Sequence, residues 1–229
     1  MVVSGSNSVD VTGFDLKSKT AIIFDMDGVI IDSEPLHERA SQHVFAEYGI
    51  ELDESIFEPF KGKTDRDIIT FLKAEHNIED ASVEELLQRK RDNYAGFIDE
   101  LHPVPGSIAF IQHVSEWFRL ALTTSASRRN QELAFQKFNL YPFFETVITS
   151  NDISNPKPHP EPYQVTVERL GLTPEQCMVI EDSTNGVRSA AAAGCTVIGI
   201  TTSFDDPALR EAGAHVVIDS YDQLKGYLS

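Results

Sequence analysis

The sequence is short of positive charge. Its 229 residues include 19 lysines and arginines against 36 aspartates and glutamates, which gives a formal net charge of −17 at pH 7. A surface with this balance repels polyanions, so we expect neither nucleic acid nor an anionic membrane to be a partner. A small anionic substrate is still compatible with the charge, provided that cations are concentrated where it binds.

Cysteine and long apolar runs are also scarce. The two cysteines, Cys177 and Cys195, each open an apolar segment, which predicts small buried side chains rather than a disulfide. No run approaches transmembrane length, and the stretch MVVSGSNSVD lacks the basic and apolar regions of a signal peptide. We therefore expect a cytoplasmic protein with a loose N-terminal tail over residues 1–18. We also expect a monomer.

Short apolar segments alternate with segments of helical periodicity along most of the chain. Several of the apolar segments are continuous, as parallel strands covered on both faces should be. The pattern predicts an α/β fold with a doubly wound, Rossmann-like parallel sheet. The predicted strands are 20–25, 119–124, 146–149, 177–181, 195–200 and 215–219.

The segment between the first two predicted strands is far too long for a single crossover. Its apolar residues recur at helical spacing, and two capping boxes, Thr64 to Asp67 and Ser82 to Glu85, mark helix starts. We predict a catalytic core formed by residues 19–32 and 105–229, with an inserted all-helical cap over 33–104. Because the insert follows the first strand, it should lie over the carboxyl end of the sheet, where ligands bind in open α/β folds.

Two acids, Asp25 and Asp27, end the first predicted strand and are followed by Gly28. If the chain stays extended to Asp27, the two carboxylates leave on the same face and repel each other. A divalent cation is the simplest remedy, and hard oxygen ligands favour Mg²⁺. An Asp-x-Asp-Gly stretch by itself also occurs in plain turns and in calcium loops.

Other predicted strands end in polar residues as well. Strand 177–181 ends in Glu181 and Asp182, of which at most one should face the site, because consecutive strand residues point in opposite directions. Strand 119–124 ends in hydroxyl side chains, and the loop that follows 146–149 contains Lys157 between two prolines. The convergence of four such segments on one edge of a sheet favours a single functional site.

These segments resemble the four motifs of the haloacid dehalogenase superfamily of phosphotransferases. The matching stretches are, in order, FDMDG, LALTTS, the lysine of NPKPHPEPY, and VIEDSTNG. The resemblance covers about residues 20–220. A helical insert after the first motif marks the subgroup that contains many sugar-phosphate phosphatases and β-phosphoglucomutase.

The resemblance implies a role for each acid. Asp25 would be the nucleophile that forms an aspartyl-phosphate, and Asp27 would be the general acid and base. Mg²⁺ would be bound by Asp25, by the backbone carbonyl of Asp27 and by Asp182, with Glu181 assisting directly or through water. Relatives that cleave carbon–halogen bonds lack the second acid of the first motif, so the presence of Asp27 argues against dehalogenation.

The resemblance also implies phosphate-binding positions. Thr124 and Lys157 would act in catalysis as well as in binding, and Lys157 would neutralise Asp25 and Asp182 before substrate arrives. The implied phosphate-binding residues are Gly28, Thr124, Ser125, Ala126 and Lys157.

Three cap residues are candidate substrate contacts, each with a plain structural alternative. Lys90 lies on the apolar stripe of its helix, where it either contacts substrate or extends its ammonium to the edge of the stripe. His37 follows the first motif as in β-phosphoglucomutase, or lies on a solvated helix face. Arg66 either binds substrate or is solvated, next to Asp65, where the mutases carry an arginine.

We favour a Mg²⁺-dependent phosphatase that hydrolyses a small phosphorylated metabolite, with a sugar phosphate as the first choice. Asp65 weakens the alternative of a phosphosugar mutase, which needs a second cationic contact in the cap. A further alternative is a non-catalytic, Mg²⁺-binding regulatory domain that kept the fold.

Overall fold

The computed structural model describes residues 18–60 and 64–228. Residues 1–17 of the predicted N-terminal tail lie outside the described residues. The strands, in chain order, are β1 (Ala21–Phe24), β2 (Ile31–Asp32), β3 (His102–Pro103), β4 (Arg119–Thr123), β5 (Thr146–Ile148), β6 (Cys177–Glu181), β7 (Thr196–Ile200) and β8 (Val216–Ile218).

Six of these strands form one parallel sheet in the order β5-β4-β1-β6-β7-β8. All six predicted strands are present, shorter than predicted by at most one residue at each end. β1 lies between β4 and β6, with Phe24 opposite both Leu122 and Ile180. The strands that carry the candidate acids and hydroxyls, β1, β6 and β4, are therefore neighbours in the sheet, and Lys157 lies in the loop after β5, the edge strand beside β4.

Helices cover both faces of this sheet. The α-helices are α1 (Glu34–Ala46), α2 (Asp65–Glu75), α3 (Val83–Gly96), α4 (Ser107–Val114), α5 (Arg128–Lys137), α6 (Glu161–Leu170), α7 (Thr184–Ala192), α8 (Asp206–Ala212) and α9 (Tyr221–Leu228). Short 3₁₀ turns occur at Glu54–Ile56, Glu58–Phe60, Ile98–Glu100, Tyr141–Phe143 and Pro174–Gln176.

Alternate residues of β1 belong to different hydrophobic clusters. Ile22 and Phe24 pack in one cluster and Ile23 in another, and all three are fully buried. This two-sided burial explains why the strand is continuously apolar and confirms the doubly wound fold. Cys177 and Cys195 are free and buried in the second cluster, as predicted.

Helices α1, α2 and α3 pack together between β2 and β3 and share a hydrophobic cluster of their own. Both predicted capping boxes are formed, at Thr64 before α2 and at Ser82 before α3. The boundaries of core and cap stay a prediction.

The prediction that the insert is all-helical is wrong at its end. Residues His102–Pro103 form β3, which pairs antiparallel with β2, where the chain leaves the sheet for the helices. The outgoing and returning chain segments lie side by side, so each supplies hydrogen-bond partners for the other's exposed backbone. In the part of the chain that the structure describes, no helix is long and apolar enough to span a bilayer.

Candidate active site

The first acidic segment leaves the sheet through a tight turn. The Asp25 N–H still donates to the Ile180 carbonyl at 3.0 Å, but the regular strand has ended at Phe24. Gly28 has φ +73°, and a Cβ there would lie 1.9 Å from Oδ2 of Asp182. The turn therefore requires glycine, both for its backbone conformation and for the close approach of the acid.

The regular strand ends at Phe24 and the turn through Gly28 follows Asp27, so the expectation that Asp25 and Asp27 leave on one face stays a prediction. The Asp27 carboxylate accepts a hydrogen bond from Ser33 Oγ at 2.5 Å and lies 3.5 Å from Thr124 Oγ1. Asp27 thus lies beside the acid cluster described next, between the start of α1 and the end of β4.

Three buried carboxylates converge at the carboxyl ends of β1 and β6. Asp25, Glu181 and Asp182 are 7%, 0% and 4% exposed, and one oxygen of each lies within 4.8 Å of the others. The expectation that at most one of Glu181 and Asp182 faces the site is therefore wrong. Glu181 is the last residue of β6, so the alternation of side chains between the two faces ends there.

Lys157 is the cation of this group, and we call Asp25, Lys157, Glu181 and Asp182 the core site. Lys157 Nζ donates to Asp25 Oδ1 and Glu181 Oε1, both at 2.7 Å, and to the Thr123 carbonyl at 3.1 Å. Lys157 is predicted to neutralise Asp25 and Asp182. Its ammonium pairs directly with Asp25 and Glu181, while its charge also acts on Asp182, which accepts a hydrogen bond from Ser203.

The core site holds more negative than positive charge. Burial raises the pKa of Asp25 to about 7 against the opposing effect of Lys157, and burial also raises the pKa of Asp182 well above its usual value. Burial disfavours a charged Lys157, but Asp25 and Glu181 outweigh this effect and raise its pKa. One lysine does not balance three buried carboxylates, so the group favours a further cation.

Glu181 is held by more contacts than the other two acids. Its Oε1 accepts hydrogen bonds from Lys157 and from the Tyr163 hydroxyl at 2.7 Å, and its Oε2 accepts from Ser183 Oγ at 3.1 Å. A Cβ on Gly186 would lie 1.8 Å from Oε1. The start of α7 therefore closes tightly on this carboxylate and fixes its orientation.

The hydroxyl at the end of β4 organises the loop that leads into α5. Thr124 is buried, and its Oγ1 accepts the Ala126 N–H at 3.0 Å. Ser125 follows Thr124 at this edge, next to the turn that carries Asp27. The predicted phosphate-binding positions are thus adjacent to the acids, and their contacts with phosphate stay a prediction.

A second polar group, which we call the cap cluster, consists of His37, Asp65, Lys90 and Tyr94. Lys90 is 2% exposed and forms an ion pair with Asp65. The snorkelling alternative for Lys90 is therefore wrong. The His37 ring stacks on Tyr94 with centroids 4.4 Å apart and a buried Nδ1, so the solvated alternative for His37 is wrong too.

Arg66 is not part of the cap cluster. Its side chain is 59% exposed and pairs with Glu84 at 2.8 Å on the outer surface of the cap. This exposed position matches the alternative in which Arg66 is solvated.

Sequence reasoning missed several residues that position the acids. Ser33 precedes α1 where a capping serine would stand, yet its hydroxyl is bonded to Asp27 and makes no cap hydrogen bond. Tyr163 lies on an apolar stripe of α6, which gives no sign that its hydroxyl reaches Glu181. Ser203 lies in the loop after β7, outside all four motifs.

Residues 22–200 match the family model for haloacid dehalogenase-like hydrolases. The sheet is doubly wound, a helical insert follows β1, and three buried acids that could hold a metal ion lie at the ends of the central strands. These features are those of a Rossmann-like hydrolase. The chain belongs to the haloacid dehalogenase-like hydrolase family.

Similar proteins agree with the hydrolase class. A phosphorylated carbohydrates phosphatase of Thermotoga maritima is 33% identical over 86% of this chain and 93% of its own length. Hexitol phosphatase A of Escherichia coli is 30% identical over 88% of this chain and 91% of its own length. A solved Thermotoga maritima structure that carries the name of a β-phosphoglucomutase has a TM-score of 0.78 and 33% identity, covering 90% of this chain and 97% of that one. These relatives support a phosphatase.

Proposed function

We propose that this protein is a Mg²⁺-dependent phosphatase that hydrolyses a small phosphorylated metabolite, with a sugar phosphate as the first choice, through an aspartyl-phosphate on Asp25. The observation that carries the proposal is the core site. A buried carboxylate held by Lys157 stands beside two further buried acids, while Asp27 stands next to it with a separate hydrogen bond to Ser33. Relatives named as carbohydrate and hexitol phosphatases support the substrate class.

In the first step an Asp25 oxygen attacks phosphorus, and the bond from phosphorus to the leaving oxygen breaks. Lys157 binds Oδ1 of Asp25, so Oδ2 is our candidate for the attacking atom. Asp27 gives its proton to the leaving oxygen, which departs as a neutral alcohol. Thr124 and the backbone after it would bind the phosphoryl oxygens, together with Lys157.

In the second step a water molecule attacks phosphorus and the acyl-phosphate bond breaks, which regenerates Asp25. Asp27 now accepts the proton of that water, so the same carboxyl serves as acid and then as base. Ser33 donates to Oδ1 of Asp27 and therefore limits how far the carboxyl can turn between the two steps.

The core site fits Mg²⁺, the metal that the family implies. Its donors are all oxygens, and its excess of buried negative charge needs a cation in addition to Lys157. Asp25, Asp182 and the Asp27 carbonyl would hold the ion, with Glu181 supporting them from its own hydrogen-bond network. A bound Mg²⁺ would offset the repulsion between the Asp25 carboxylate and a phosphate dianion.

A phosphosugar mutase is the second candidate, favoured by the likeness to a structure that carries that name, by the buried Lys90 and by the half-buried His37. A mutase must also bind a second phosphate. The pairing of Lys90 with Asp65 reduces the positive charge available to bind that phosphate, so we place this candidate second.

A non-catalytic, Mg²⁺-binding domain would not need a general acid, so the presence of Asp27 argues against that alternative. A monomer with a core of 19–32 and 105–229 and a cap of 33–104 completes the proposal.

The test is phosphate release from a panel of sugar, polyol and nucleoside phosphates with purified protein. We expect turnover of sugar or polyol phosphates with Mg²⁺ and none after a chelator, with recovery when Mg²⁺ is restored. Calcium should support turnover poorly, because its larger, more flexible coordination misplaces the nucleophile. Undiminished activity in the metal-free protein would contradict the metal assignment, and faster isomerisation of glucose 1-phosphate than phosphate release would favour the mutase.

A further inference from the structure

Two loops of the proposed phosphate-binding region are bonded to each other. The loop after β4 contains several of the predicted phosphate-binding positions, and the loop after β5 contains Lys157. The Ser150 N–H of the second loop donates to the Ala126 carbonyl of the first at 3.1 Å. The Arg128 N–H, where α5 begins, donates to Asn151 Oδ1 at 2.9 Å. The two loops therefore form one junction at the start of α5.

Asp152 is the acid of this junction. Its side chain is 16% exposed, and its Oδ2 accepts hydrogen bonds from the Thr149 N–H at 2.9 Å and from the Thr149 hydroxyl at 2.8 Å. The same oxygen pairs with Arg128 Nη2 at 2.5 Å, and Oδ1 lies 3.6 Å from Arg169 Nη2. Asp152 thus joins the end of β5 to α5, and also to α6, the helix that follows the loop.

The environment of Asp152 differs from that of an ordinary surface ion pair. Burial acts to raise its pKa, but the hydrogen bonds from Thr149 and the charges of Arg128 and Arg169 outweigh burial, so the pKa lies below its usual value. Hydrogen bonds to an ionised group are stronger than those between neutral groups, whereas fully exposed ion pairs contribute little. Asp152 therefore restrains the junction from three sides.

The other half of the same loop is restrained as well. The Glu161 carboxylate accepts the Ser154 N–H at 2.6 Å, shortly before Lys157. Lys157 Nζ in turn donates to the Thr123 carbonyl at the end of β4. With Asp152 near its start and Glu161 at its end, the loop holds Lys157 at a fixed place relative to β4.

We propose that Asp152 is a positioning residue for phosphate binding, which fixes the spacing between Lys157 and the groups after β4. In the proposed reaction these two sets of groups bind one phosphoryl group from two loops, so a small change in their spacing weakens several contacts together. This inference rests on the proposed phosphatase function and extends it to a residue that would act without touching the phosphoryl group.

The test measures phosphate binding in variants of Asp152 and of a matched acid. The matched acid is Glu145, which accepts a hydrogen bond from Arg119 Nε at 2.8 Å at the opposite end of β4 and β5. Glu145→Gln therefore weakens an arginine–carboxylate pair between the same two strands, far from the phosphate-binding loops. The readouts are kcat and KM for p-nitrophenyl phosphate, the inhibition constant of inorganic phosphate, and the thermal unfolding temperature.

In Asp152→Ala, the inhibition constant of phosphate should rise by about tenfold, because displaced groups bind the phosphoryl oxygens less well. KM should rise with it and kcat should change less, as expected when an interaction common to the ground state and the transition state is lost. Asp152→Asn should have a smaller effect, since its amide oxygen still accepts from Thr149 while the charge that pairs with Arg128 is lost.

Two controls separate this role from a general loss of structure. The Mg²⁺ concentration for half-maximal activity should stay unchanged in both Asp152 variants, because Asp25 and Asp182 are held by other partners. Glu145→Gln should leave the inhibition constant of phosphate unchanged, whatever it does to the unfolding temperature.

Variants of Arg128 test the route by which Asp152 acts. Arg128→Lys keeps a cation for Asp152 and should keep most of the phosphate affinity, whereas Arg128→Ala should lose it. If the two residues act as a pair, the double variant Asp152→Ala/Arg128→Ala should bind phosphate no more weakly than the weaker single variant.

An inhibition constant that is unchanged or lower in the Asp152 variants overturns the inference, and so does an equal rise in Glu145→Gln. If Asp152→Ala does not fold, the comparison of Asp152→Asn with Glu145→Gln decides the question. Failure of the proposed function gives a different result: no hydrolysis of p-nitrophenyl phosphate by the parent protein with Mg²⁺. A parent that hydrolyses this ester while the inhibition constants stay fixed refutes only the role of Asp152.

Discussion

The core site and the cap cluster each contain a buried lysine, yet they balance its charge differently. In the core site Lys157 contacts two carboxylates, with Asp182 a third acid alongside, so negative charge is in excess. In the cap cluster Lys90 pairs with a single acid, Asp65. The core site therefore favours a further cation, whereas the charge of Lys90 is already balanced by Asp65.

The difference teaches how two similar residues acquire different roles. Lys157 lies at the ends of the central strands, where buried carboxylates converge and require more positive charge than one lysine supplies. Lys90 lies on a helix whose neighbouring helix supplies one compensating acid, so no further charge is needed. The following predictions test this contrast, beginning with the largest expected effect.

Replacing the proposed nucleophile should abolish the chemistry without disturbing the fold. Asp25→Asn is nearly isosteric, but its amide does not attack phosphorus, so kcat should fall by on the order of 10⁴-fold. The readout is phosphate release from the best sugar phosphate, with circular dichroism as the check on folding. Asp32→Asn, which removes an exposed acid of the same type seven residues later, is the control and should retain activity. Near-normal rates in Asp25→Asn would mean that water, not Asp25, attacks phosphorus.

Removing the hydrogen bond that orients Asp182 should weaken metal binding, with a smaller effect on activity than the loss of Asp25. The Ser203 hydroxyl donates to Asp182, so Ser203→Ala should raise the Mg²⁺ concentration for half-maximal activity by about tenfold, as loss of a residue that orients a ligand does. The same shift should appear in the Mg²⁺ dependence of the thermal unfolding temperature, a readout without turnover.

The control for Ser203 is Thr201→Val, which removes a hydroxyl of the same loop that is bonded to Asp219 instead. It should leave the Mg²⁺ dependence unchanged. Equal effects in both variants would indicate a general loosening of the loop and would exclude a specific role for Ser203.

The smallest effect is expected for Arg66. This cation lies in the cap, next to Asp65, but it is exposed and pairs with Glu84 across the outer surface. Arg66→Ala should change kcat/KM for any phosphate ester by less than about twofold, because exposed ion pairs contribute little. A larger loss for sugar phosphates than for p-nitrophenyl phosphate would place Arg66 in the substrate site and would weaken the contrast between the core site and the cap.

Much of the core could be predicted from the sequence, because continuous apolar segments, capping boxes and acids at strand ends are local signals. The six sheet strands and the closeness of Asp25, Lys157 and the two acids at the end of β6 follow from them. The details that failed depend on where a regular element stops. Asp182 lies just past the end of β6, so the rule of strand alternation did not hold for Glu181 and Asp182.

Other features could not be predicted because they join residues distant in the chain. The pairing of Lys90 with Asp65 depends on how α2 packs against α3, and the β2–β3 pair depends on where the insert returns to the core. The contact of Tyr163 with Glu181 gives no sequence signal, since a tyrosine on an apolar stripe has the pattern of a core residue.

The proposed mechanism depends most directly on covalent phosphorylation of Asp25. Asp27→Asn should still accept a phosphoryl group from p-nitrophenyl phosphate, whose leaving group needs no proton, but should hydrolyse the intermediate slowly. Acid-quenched protein should then carry one phosphoryl group by mass spectrometry, and borohydride reduction should leave homoserine at position 25. The double variant Asp25→Asn/Asp27→Asn should carry none. Steady release of p-nitrophenol by Asp27→Asn with no phosphorylated protein, or with the phosphoryl group on another residue, would contradict the mechanism.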